Sequence, residues 1–360
     1  MNRILELRAV ANQAPTLDRL AQCIVDSGVA PNIAVGCARK RGGTWVQSSG
    51  GEISTHFDIA SLTKPIFAVA FASSHLDRSS RLDSLLHDAA GRPAGSATMT
   101  QLLAHRAGLL PHAVLAKTPS TLRAVASLMR ENIRDGAEAA SAPPVYSDLG
   151  YILAAAAFNS ARGGADMFDV GDAIDALVAK PLDLQRSLGS ARLLKSRGIQ
   201  LKTTAAPTGN ASTPSLRIAQ PGEVHDDNAW ALSGEGCSGH AGLFATVDAV
   251  VAFGCALLDA MQGDRAHWGD IAWLAEGIPQ SVRRIGFDGK SRETSSAGTL
   301  ASDATFGHLG FTGTSFWIDP DRGAVTAFLS NRVAVSASTA MIREARPIVH
   351  DALFSHATSM

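Results

Sequence analysis

A serine and a lysine three residues apart are the first pair in this sequence that could do chemistry. Ser61 and Lys64 lie in the stretch FDIASLTKPIFAVA, where a strand-like run passes into an apolar helix. Side chains at this spacing share one face of a helix, with Cβ atoms about 5 to 6 Å apart, so the amine can reach the hydroxyl. A serine nucleophile needs a base in reach, and a neutral lysine can serve. The pair predicts a nucleophilic serine, with an ordinary helix start as the alternative.

A tyrosine in the stretch PPVYSDLGYILAAA is the second candidate. Two prolines end the preceding segment, and the helix predicted from Gly150 to Ala157 fixes the direction of the turn that carries Tyr146. A phenol on such a turn can enter a cleft and relay protons. The alternative is an ordinary packing role for Tyr146.

A glycine-rich strand in the stretch TFGHLGFTGTSFWIDP is the third candidate. Glycines at positions 307, 310 and 313 would weaken an ordinary strand, so they indicate close approach of another backbone or of a ligand. Such a strand can offer a backbone N–H to a substrate oxygen. His308 is the polar side chain nearby, and a structural role is its alternative.

The order Ser-x-x-Lys, Tyr-Ser-Asp and His-x-Gly resembles the serine β-lactamase and penicillin-binding protein superfamily, especially its class C and esterase-like branch. The segments LLAHRAGLLPH and SGHAGLFATVDAVVAF are similar to two further segments of that superfamily, so the resemblance covers nearly the whole chain. It implies that Ser61 is the nucleophile, Lys64 its base and Tyr146 the second proton-transfer group. It also implies an oxyanion hole made of two backbone N–H groups, those of Ser61 and Phe311.

The substrate side implied by the resemblance consists of Asp148, His308 and Gly310, and two of these depart from the common pattern. Asp148 stands where many members have asparagine, and its carboxylate would hold Lys64 protonated, which shifts the proton-transfer role towards Tyr146. His308 stands where others have the lysine of Lys-Thr-Gly, a permanent cation that grips a substrate carboxylate. This loss argues against a β-lactamase and favours other substrates.

The expected function is therefore a serine hydrolase that works through an acyl-enzyme on small carboxylic esters. The alternatives are a D-amino-acid peptidase or amidase, a hydrolase similar to DD-carboxypeptidases, and a weak β-lactamase. From a different class, the chain could be a catalytically idle relative that binds a ligand in the same cleft. No cofactor is expected, and the partner is a small ester, amide or peptide.

Composition limits the remaining classes of function. The sequence has 32 Lys and Arg residues and 33 Asp and Glu residues, so its net charge is -1. This balance gives no electrostatic reason to expect binding to nucleic acid. The 4 cysteines have no metal-site spacing, so we expect buried free thiols and no metal. No run approaches the roughly 18 apolar residues of a membrane span. The amino terminus lacks the apolar stretch of a signal peptide, which favours a cytoplasmic location.

The elements that must position these residues suggest an α+β fold of the β-lactamase/transpeptidase type. A helix is predicted over residues 16–28, two strands around Arg41-Gly42-Gly43, a short strand at HFDIA, and a late hairpin with its turn at Asp319 to Gly323. The carboxy-terminal segment is also predicted to form a helix. Strands at both ends imply an antiparallel sheet flanked by terminal helices, with a helical lobe inserted between them. We expect a single catalytic domain over 1–360, with an α/β lobe from 1–63 and 237–360 and a mainly helical lobe with loops over 64–236.

Overall fold

The computed structural model of the protein describes residues 2–210, 217–336 and 338–360. Within these ranges the strands are β1 (Ile33–Arg41), β2 (Thr44–Gly51), β3 (Phe57–Asp58), β4 (Leu188–Ser190), β5 (Leu243–Ala245), β6 (Asp288–Gly289), β7 (Phe306–Leu309), β8 (Ser315–Asp319) and β9 (Ala324–Ser330). The α-helices are α1 (Asn2–Ala11), α2 (Leu17–Asp26), α3 (Thr63–Ala72), α4 (Leu82–Leu85), α5 (Met99–Leu103), α6 (Thr121–Val125), α7 (Gly136–Ala139), α8 (Asp148–Ala161), α9 (Gly171–Ile174), α10 (Ala191–Ser196), α11 (Leu201–Thr204), α12 (Asp227–Ser233), α13 (Val247–Met261) and α14 (Ala340–Ser359).

The main sheet joins strands from the two ends of the chain. Its order is β2-β1-β9-β8-β7-β6, and its strand pairs are antiparallel. β1 and β2 form a hairpin, as do β8 and β9, because each pair is joined by a short turn that contains glycine. The central pair of β1 with β9 closes the sheet between segments almost 300 residues apart in sequence, such as Ile33 and Ser330. β7, which carries the glycine-rich stretch, lies between β8 and β6.

Helices cover both faces of this sheet, and β1 shows the division residue by residue. Ile33, Val35 and Cys37 belong to the hydrophobic core that contains side chains of α1, α2 and α14. Ala34 and Ala38 belong to the core on the other face, which contains α13. Side chains alternate along a strand, so a strand buried on both faces must be apolar at consecutive positions. The stretch IAVGCA meets this requirement.

The core that contains α13 extends among the helices between β3 and β4. α8 is buried on all sides along most of its length, which explains its run of alanines and the apolar letters YILAAAAF. Phe67 of α3 packs edge-on against Tyr151 and Phe158 of α8, with ring centroids 6.2 and 5.6 Å apart. These contacts fix α3 against α8. Among the described helices, none is both long and apolar enough to cross a membrane.

Most predicted elements are confirmed. The helix at 16–28, the two early strands and their turn, the late hairpin and the helical tail are α2, β1 with β2, β8 with β9, and α14. The four cysteines are free and buried, as expected. Helix α1 was not predicted. The division at 64–236 stays a prediction, and this range also contains β4.

Candidate active site

Ser61 lies in a tight turn between β3 and α3. A short 3₁₀ helix, Ala60–Leu62, connects the two elements. Ala60 has a φ of 46°, a left-handed value that is unfavourable for a residue with a Cβ. The Asp58 carboxylate holds this turn, since its Oδ1 accepts a 2.8 Å hydrogen bond from the Ala60 N–H. Strained backbone of this kind persists where the surroundings enforce it, and such places are often functional.

Lys64 is completely buried on the first turn of α3, and its amine contacts three oxygens. Nζ donates to Ser61 Oγ at 2.9 Å and to the His240 carbonyl at 3.2 Å. It also lies 2.7 Å from Asp148 Oδ1. The predicted proximity of Ser61 and Lys64 is therefore confirmed, and the Asp148 carboxylate that was expected to act on Lys64 lies beside its amine.

The charges at this point follow from the ion pair. Burial is the largest influence on the pKa of Lys64 and lowers it, but the combined effects of Asp148 and Tyr146 raise it above its ordinary value. Burial likewise raises the pKa of Asp148, but Lys64 and His112 hold it well below its ordinary value. At neutral pH the pair consists of an ammonium and a carboxylate. The amine is therefore a hydrogen-bond donor to Ser61 in the resting protein.

Tyr146 completes the group and is held in place by His105. His105 accepts a hydrogen bond from the Ser147 N–H at its Nδ1, 3.0 Å away, and another from the Val145 N–H at its carbonyl, 3.1 Å away. The histidine ring lies against the Tyr146 ring, with centroids 4.6 Å apart, and Lys64 Nζ is 4.9 Å from the centre of the same phenol ring. Burial raises the pKa of the phenol, although Lys64 acts in the opposite direction. Tyr146 is thus neutral at rest.

The glycine-rich stretch meets the Ser61 turn at Gly310. A Cβ at this position would lie 2.7 Å from the Ile59 carbonyl and would overlap Thr314 Oγ1, so only glycine fits. Two hydroxyls fasten the contact: Thr312 Oγ1 donates to the Asp58 carbonyl at 2.7 Å, and Thr314 Oγ1 donates to the Ile59 carbonyl at 3.1 Å. The close approach predicted from the glycines is confirmed at Gly310.

The backbone N–H of Phe311 follows directly after this contact. It has no hydrogen-bond acceptor in the part of the chain that the structure describes, and Phe311 lines the same cleft as Ser61. The Phe311 ring is 55% exposed and stacks on His225, with centroids 5.9 Å apart. An N–H that lines the cleft without an acceptor can receive an oxygen atom of a ligand. The oxyanion-hole role of Ser61 and Phe311 stays a prediction.

His308 was expected to line the substrate side, and the structure differs here. Its side chain is 3% exposed and lies behind the wall of the cleft, and its neighbour Leu309 lines the cleft instead. The ring contacts the Leu309 carbonyl through Nδ1 at 2.8 Å and lies 6.0 Å from the Tyr146 ring, centre to centre. Burial lowers the pKa of His308 to about 4, so the ring is neutral at pH 7. It supports Tyr146 and carries no charge towards a substrate.

The cleft has a volume of about 570 Å³ and contains most of the predicted site residues. Ser61, Tyr146, Asp148, Gly310 and Phe311 line it. Its remaining walls come from residues to which the sequence assigned no role: Pro111, His112, His225, Asp226, Asp227, Leu309, Arg332, Thr339, Ile342 and Arg346.

Some of these unassigned residues had a signal in the sequence and others had none. Pro111 and His112 end the segment LLAHRAGLLPH, which carried part of the resemblance, so their place in the cleft was accessible from the sequence. Arg332 and Arg346 follow no motif. Within the described residues no group of three or more His, Cys, Asp or Glu side chains could hold a metal ion.

Comparison with known proteins agrees with this architecture. The family profile described as Beta-lactamase matches residues 17–347. A protein of Salmonella gallinarum, named as a candidate D-alanyl-D-alanine carboxypeptidase, is 29% identical over 199 residues, which are 52% of this chain and 45% of that protein. The chain thus matches under half of that relative's length.

Two solved structures share the fold. A class C beta lactamase from Rhodobacter sphaeroides has a TM-score of 0.65 at 15% identity, with 96% of this chain and 99% of that chain covered. The hydrolase EstCE1, described as having promiscuous acyltransferase activity, has a TM-score of 0.64 at 15% identity, with 97% and 100% covered. At such low identity these likenesses concern the fold alone. They confirm the expected α+β fold of the β-lactamase/transpeptidase type.

Proposed function

Because the chain belongs to the beta-lactamase family, we propose that it is a serine hydrolase that acts through an acyl-enzyme on small carboxylic esters. Ser61 is the nucleophile, and Lys64 and Tyr146 transfer its proton. The observation that supports this most directly is the 2.9 Å contact between Lys64 Nζ and Ser61 Oγ beside the cleft. A buried lysine beside a serine hydroxyl is what serine acyl chemistry needs, whereas a structural lysine would face water.

The reaction proceeds in two steps. In the first, Ser61 Oγ attacks the ester carbonyl carbon, the serine proton passes through the Lys64 and Tyr146 group to the leaving alkoxide, and the alcohol departs. In the second, water attacks the acyl-serine ester by the same route and releases the carboxylic acid and Ser61. The N–H groups of Ser61 and Phe311 stabilise the oxyanion in both steps.

Proton transfer requires a form of the site that differs from the resting one. Lys64 is protonated at rest and Tyr146 is neutral, so neither can accept the serine proton. The reactive form carries one proton fewer, shared within the group of Lys64, Tyr146 and Asp148, and coupled groups of this kind titrate together. Hydrolysis should therefore accelerate as the pH rises from neutral to alkaline values.

Hydrolysis of D-amino-acid peptides or amides is a second candidate. It is favoured by the relative named as a candidate D-alanyl-D-alanine carboxypeptidase, which shares 29% identity over about half of this chain. The chemistry is the same except that the leaving group is an amine, which must receive a proton as the C–N bond breaks. A screen with p-nitrophenyl butyrate, a D-alanine anilide and a chromogenic cephalosporin ranks the substrate classes.

The test of the common step is covalent labelling of Ser61. A fluorophosphonate probe should add one adduct to the wild type, and intact-mass analysis should show none in Ser61→Ala. Ser84→Ala, which removes an exposed serine of α4, is the matched control and should label like the wild type. An adduct that persists in Ser61→Ala would refute the assignment. An unlabelled wild type would favour the catalytically idle, ligand-binding relative.

A further inference from the structure

Phe311 presents an aromatic ring to the candidate active site. The ring is 55% exposed, whereas Phe306 and Phe316 of the neighbouring strands β7 and β8 are buried. Among the residues that the structure describes, it is the only phenylalanine or tryptophan that is exposed. It lines the same cleft as Ser61. An apolar ring gains stability from burial, so its exposure inside this cleft indicates a surface that a bound ligand covers.

His225 extends this aromatic surface. Its ring and that of Phe311 are 5.9 Å apart, centre to centre, and are inclined by 22°. Nearly parallel rings at this separation are offset, so His225 covers only part of the Phe311 face. Both residues line the cleft. The two rings together are called the aromatic platform below.

Asp58 fixes both residues of the aromatic platform relative to Ser61. Its Oδ2 accepts a 2.7 Å hydrogen bond from the His225 N–H. Its carbonyl accepts one of the same length from Thr312 Oγ1, directly after Phe311. Its Oδ1 holds the turn that carries Ser61. The nucleophile and the aromatic platform thus share one buried anchor, which sets their relative position before a substrate arrives.

Arg332 restrains Phe311 further. Its side chain is 3% exposed, and its guanidinium donates to the Phe311 carbonyl. The guanidinium carbon also lies 4.7 Å from the centre of the Phe311 ring, where the ring quadrupole attracts a cation. These contacts hold both the backbone and the ring of Phe311. A surface that is ordered in advance costs little conformational entropy when a ligand binds to it.

The position of the aromatic platform determines which part of a substrate contacts it. An ester whose carbonyl oxygen is bound by the Phe311 N–H has its two substituents close to the Phe311 ring, because the N–H and the ring belong to one residue. The other apolar lining residues, Pro111, Leu309 and Ile342, are aliphatic. An aromatic ring gains from stacking as well as from burial, whereas a saturated ring of similar size gains from burial alone.

We propose that Phe311 and His225 form a stacking subsite, and that the substrate is an ester with an aromatic ring a few bonds from the scissile carbonyl. The subsite rests on the acyl-enzyme function proposed above and narrows its substrate class. The ring belongs either to the acyl part or to the alcohol part, and the experiment examines both.

The test compares aromatic and saturated rings of similar size. Trifluoroethyl phenylacetate and trifluoroethyl cyclohexylacetate differ on the acyl side, and benzyl acetate and cyclohexylmethyl acetate differ on the alcohol side. The released acid is measured by titration at constant pH. Phe311→Leu keeps the backbone N–H and an apolar side chain but removes the ring. It should lower the kcat/KM ratio of aromatic to saturated ester about 2- to 12-fold for at least one pair, the range for an aromatic pair beyond burial.

Three further variants separate stacking from a general effect on the cleft. Phe311→Tyr keeps the ring and should keep the wild-type ratio. His225→Leu removes the second ring but keeps the N–H that Asp58 binds, and it should lower the ratio in the same direction. Phe168→Leu makes the same substitution at a partly buried ring outside the cleft and should leave the ratio unchanged. Equal losses for aromatic and saturated esters in Phe311→Leu would mean that the ring only fills space, and would overturn the subsite.

A binding measurement distinguishes failure of the subsite from failure of the proposed function. If the wild type hydrolysed none of these esters, the acyl-enzyme function on esters would fail, and the subsite would be judged by calorimetry on Ser61→Ala. Phenylacetamide should then bind more tightly than cyclohexylacetamide, and adding Phe311→Leu should remove about 2- to 12-fold of that preference. Absent binding, or a preference that Phe311→Leu does not change, would refute the subsite.

Discussion

Lys64 Nζ lies 2.7 Å from Asp148 Oδ1 in a site where the lysine side chain is completely buried. Each group stabilises the charged form of the other, because a buried charge without its partner would bear an uncompensated desolvation cost. The same ammonium donates to Ser61 Oγ at 2.9 Å. The carboxylate thus controls the protonation state of the amine that touches the candidate nucleophile.

Replacing Asp148 by asparagine should shift the pH dependence of activity. Without the carboxylate, the pKa of Lys64 loses its largest raising influence, and burial, which lowers it, then dominates. The neutral amine becomes accessible at lower pH. We expect the acid limb of the kcat/KM profile for p-nitrophenyl butyrate to move to lower pH in Asp148→Asn.

The control for this shift is Asp166→Asn, which breaks a surface pair of the same length, Lys117 with Asp166 at 2.7 Å. It should leave the profile in place. If the acid limb of Asp148→Asn lies at the same pH as that of the wild type, Asp148 does not set the protonation state that the reaction needs. A large loss of turnover at every pH would instead mean that the carboxylate itself receives the serine proton.

Lys64 and Tyr146 should behave as one unit. Lys64→Ala and Tyr146→Phe should each lower kcat by about 10²-fold or more, the usual effect of removing a general acid or base. Since the two groups share one proton route, the double variant should lose little more than the worse single variant. Steady-state kinetics on the four proteins measures this. Losses that multiply would indicate two independent proton transfers.

The geometry of the candidate site was predictable where it depends on local spacing. Ser61 and Lys64 share a helical face, and the Gly310 contact is forced by the absence of a side chain. The hairpins follow from glycine turns between apolar runs. Helix α1 was missed because its buried positions Ile4, Leu7 and Ala11 are interrupted by the exposed apolar residues Leu5 and Val10, so the letters show no single apolar face.

The parts of the cleft that come from distant segments were not predictable. Arg346 reaches Gly310 from 36 residues away, and no local pattern reports that contact. His308 was misplaced for a related reason. Consecutive side chains of a strand point to opposite faces, so the choice between His308 and Leu309 as the cleft residue depends on the orientation of β7 relative to α3. That orientation is a property of the whole sheet.

Gly310→Ala should impair catalysis without abolishing the fold. The new Cβ would press on the Ile59 carbonyl and on Thr314 Oγ1, which pushes the Phe311 N–H away from Ser61. We expect kcat to fall by about 10²- to 10³-fold, as when an oxyanion-hole donor is lost. Gly269→Ala is the matched control, because Gly269 is exposed and a Cβ there meets no atom within 4 Å. Circular dichroism checks folding, and a folded Gly310→Ala with wild-type kcat would contradict the oxyanion assignment.

Because His350 is buried, we expect the free energy of unfolding of the protein to fall in mild acid. Its ring is fully buried between α14 and the sheet, with Nε2 2.8 Å from Ser315 Oγ and Nδ1 2.9 Å from Thr326 Oγ1. Burial, assisted by Arg346, lowers its pKa from 6.5 to about 3. Between these values the unfolded chain binds a proton that the folded protein excludes, so the free energy of unfolding falls as the pH falls, by about 1.4 kcal/mol per pH unit.

Urea unfolding of wild type and His350→Gln from pH 7.5 to 4.5 measures this contribution. The other titrating groups contribute nearly the same pH dependence to both proteins, so their contributions largely cancel in the difference between the two free energies of unfolding. The glutamine can keep a hydrogen bond to either hydroxyl but cannot take up a proton. The wild type should therefore be the more stable protein at pH 7.5, and its advantage should shrink as the pH falls below about 6.5, the ordinary pKa of histidine. His87→Gln, at an exposed position, serves as the control. An advantage that stays constant across the range would mean that His350 is protonated inside the folded protein, against the burial and hydrogen bonding described above.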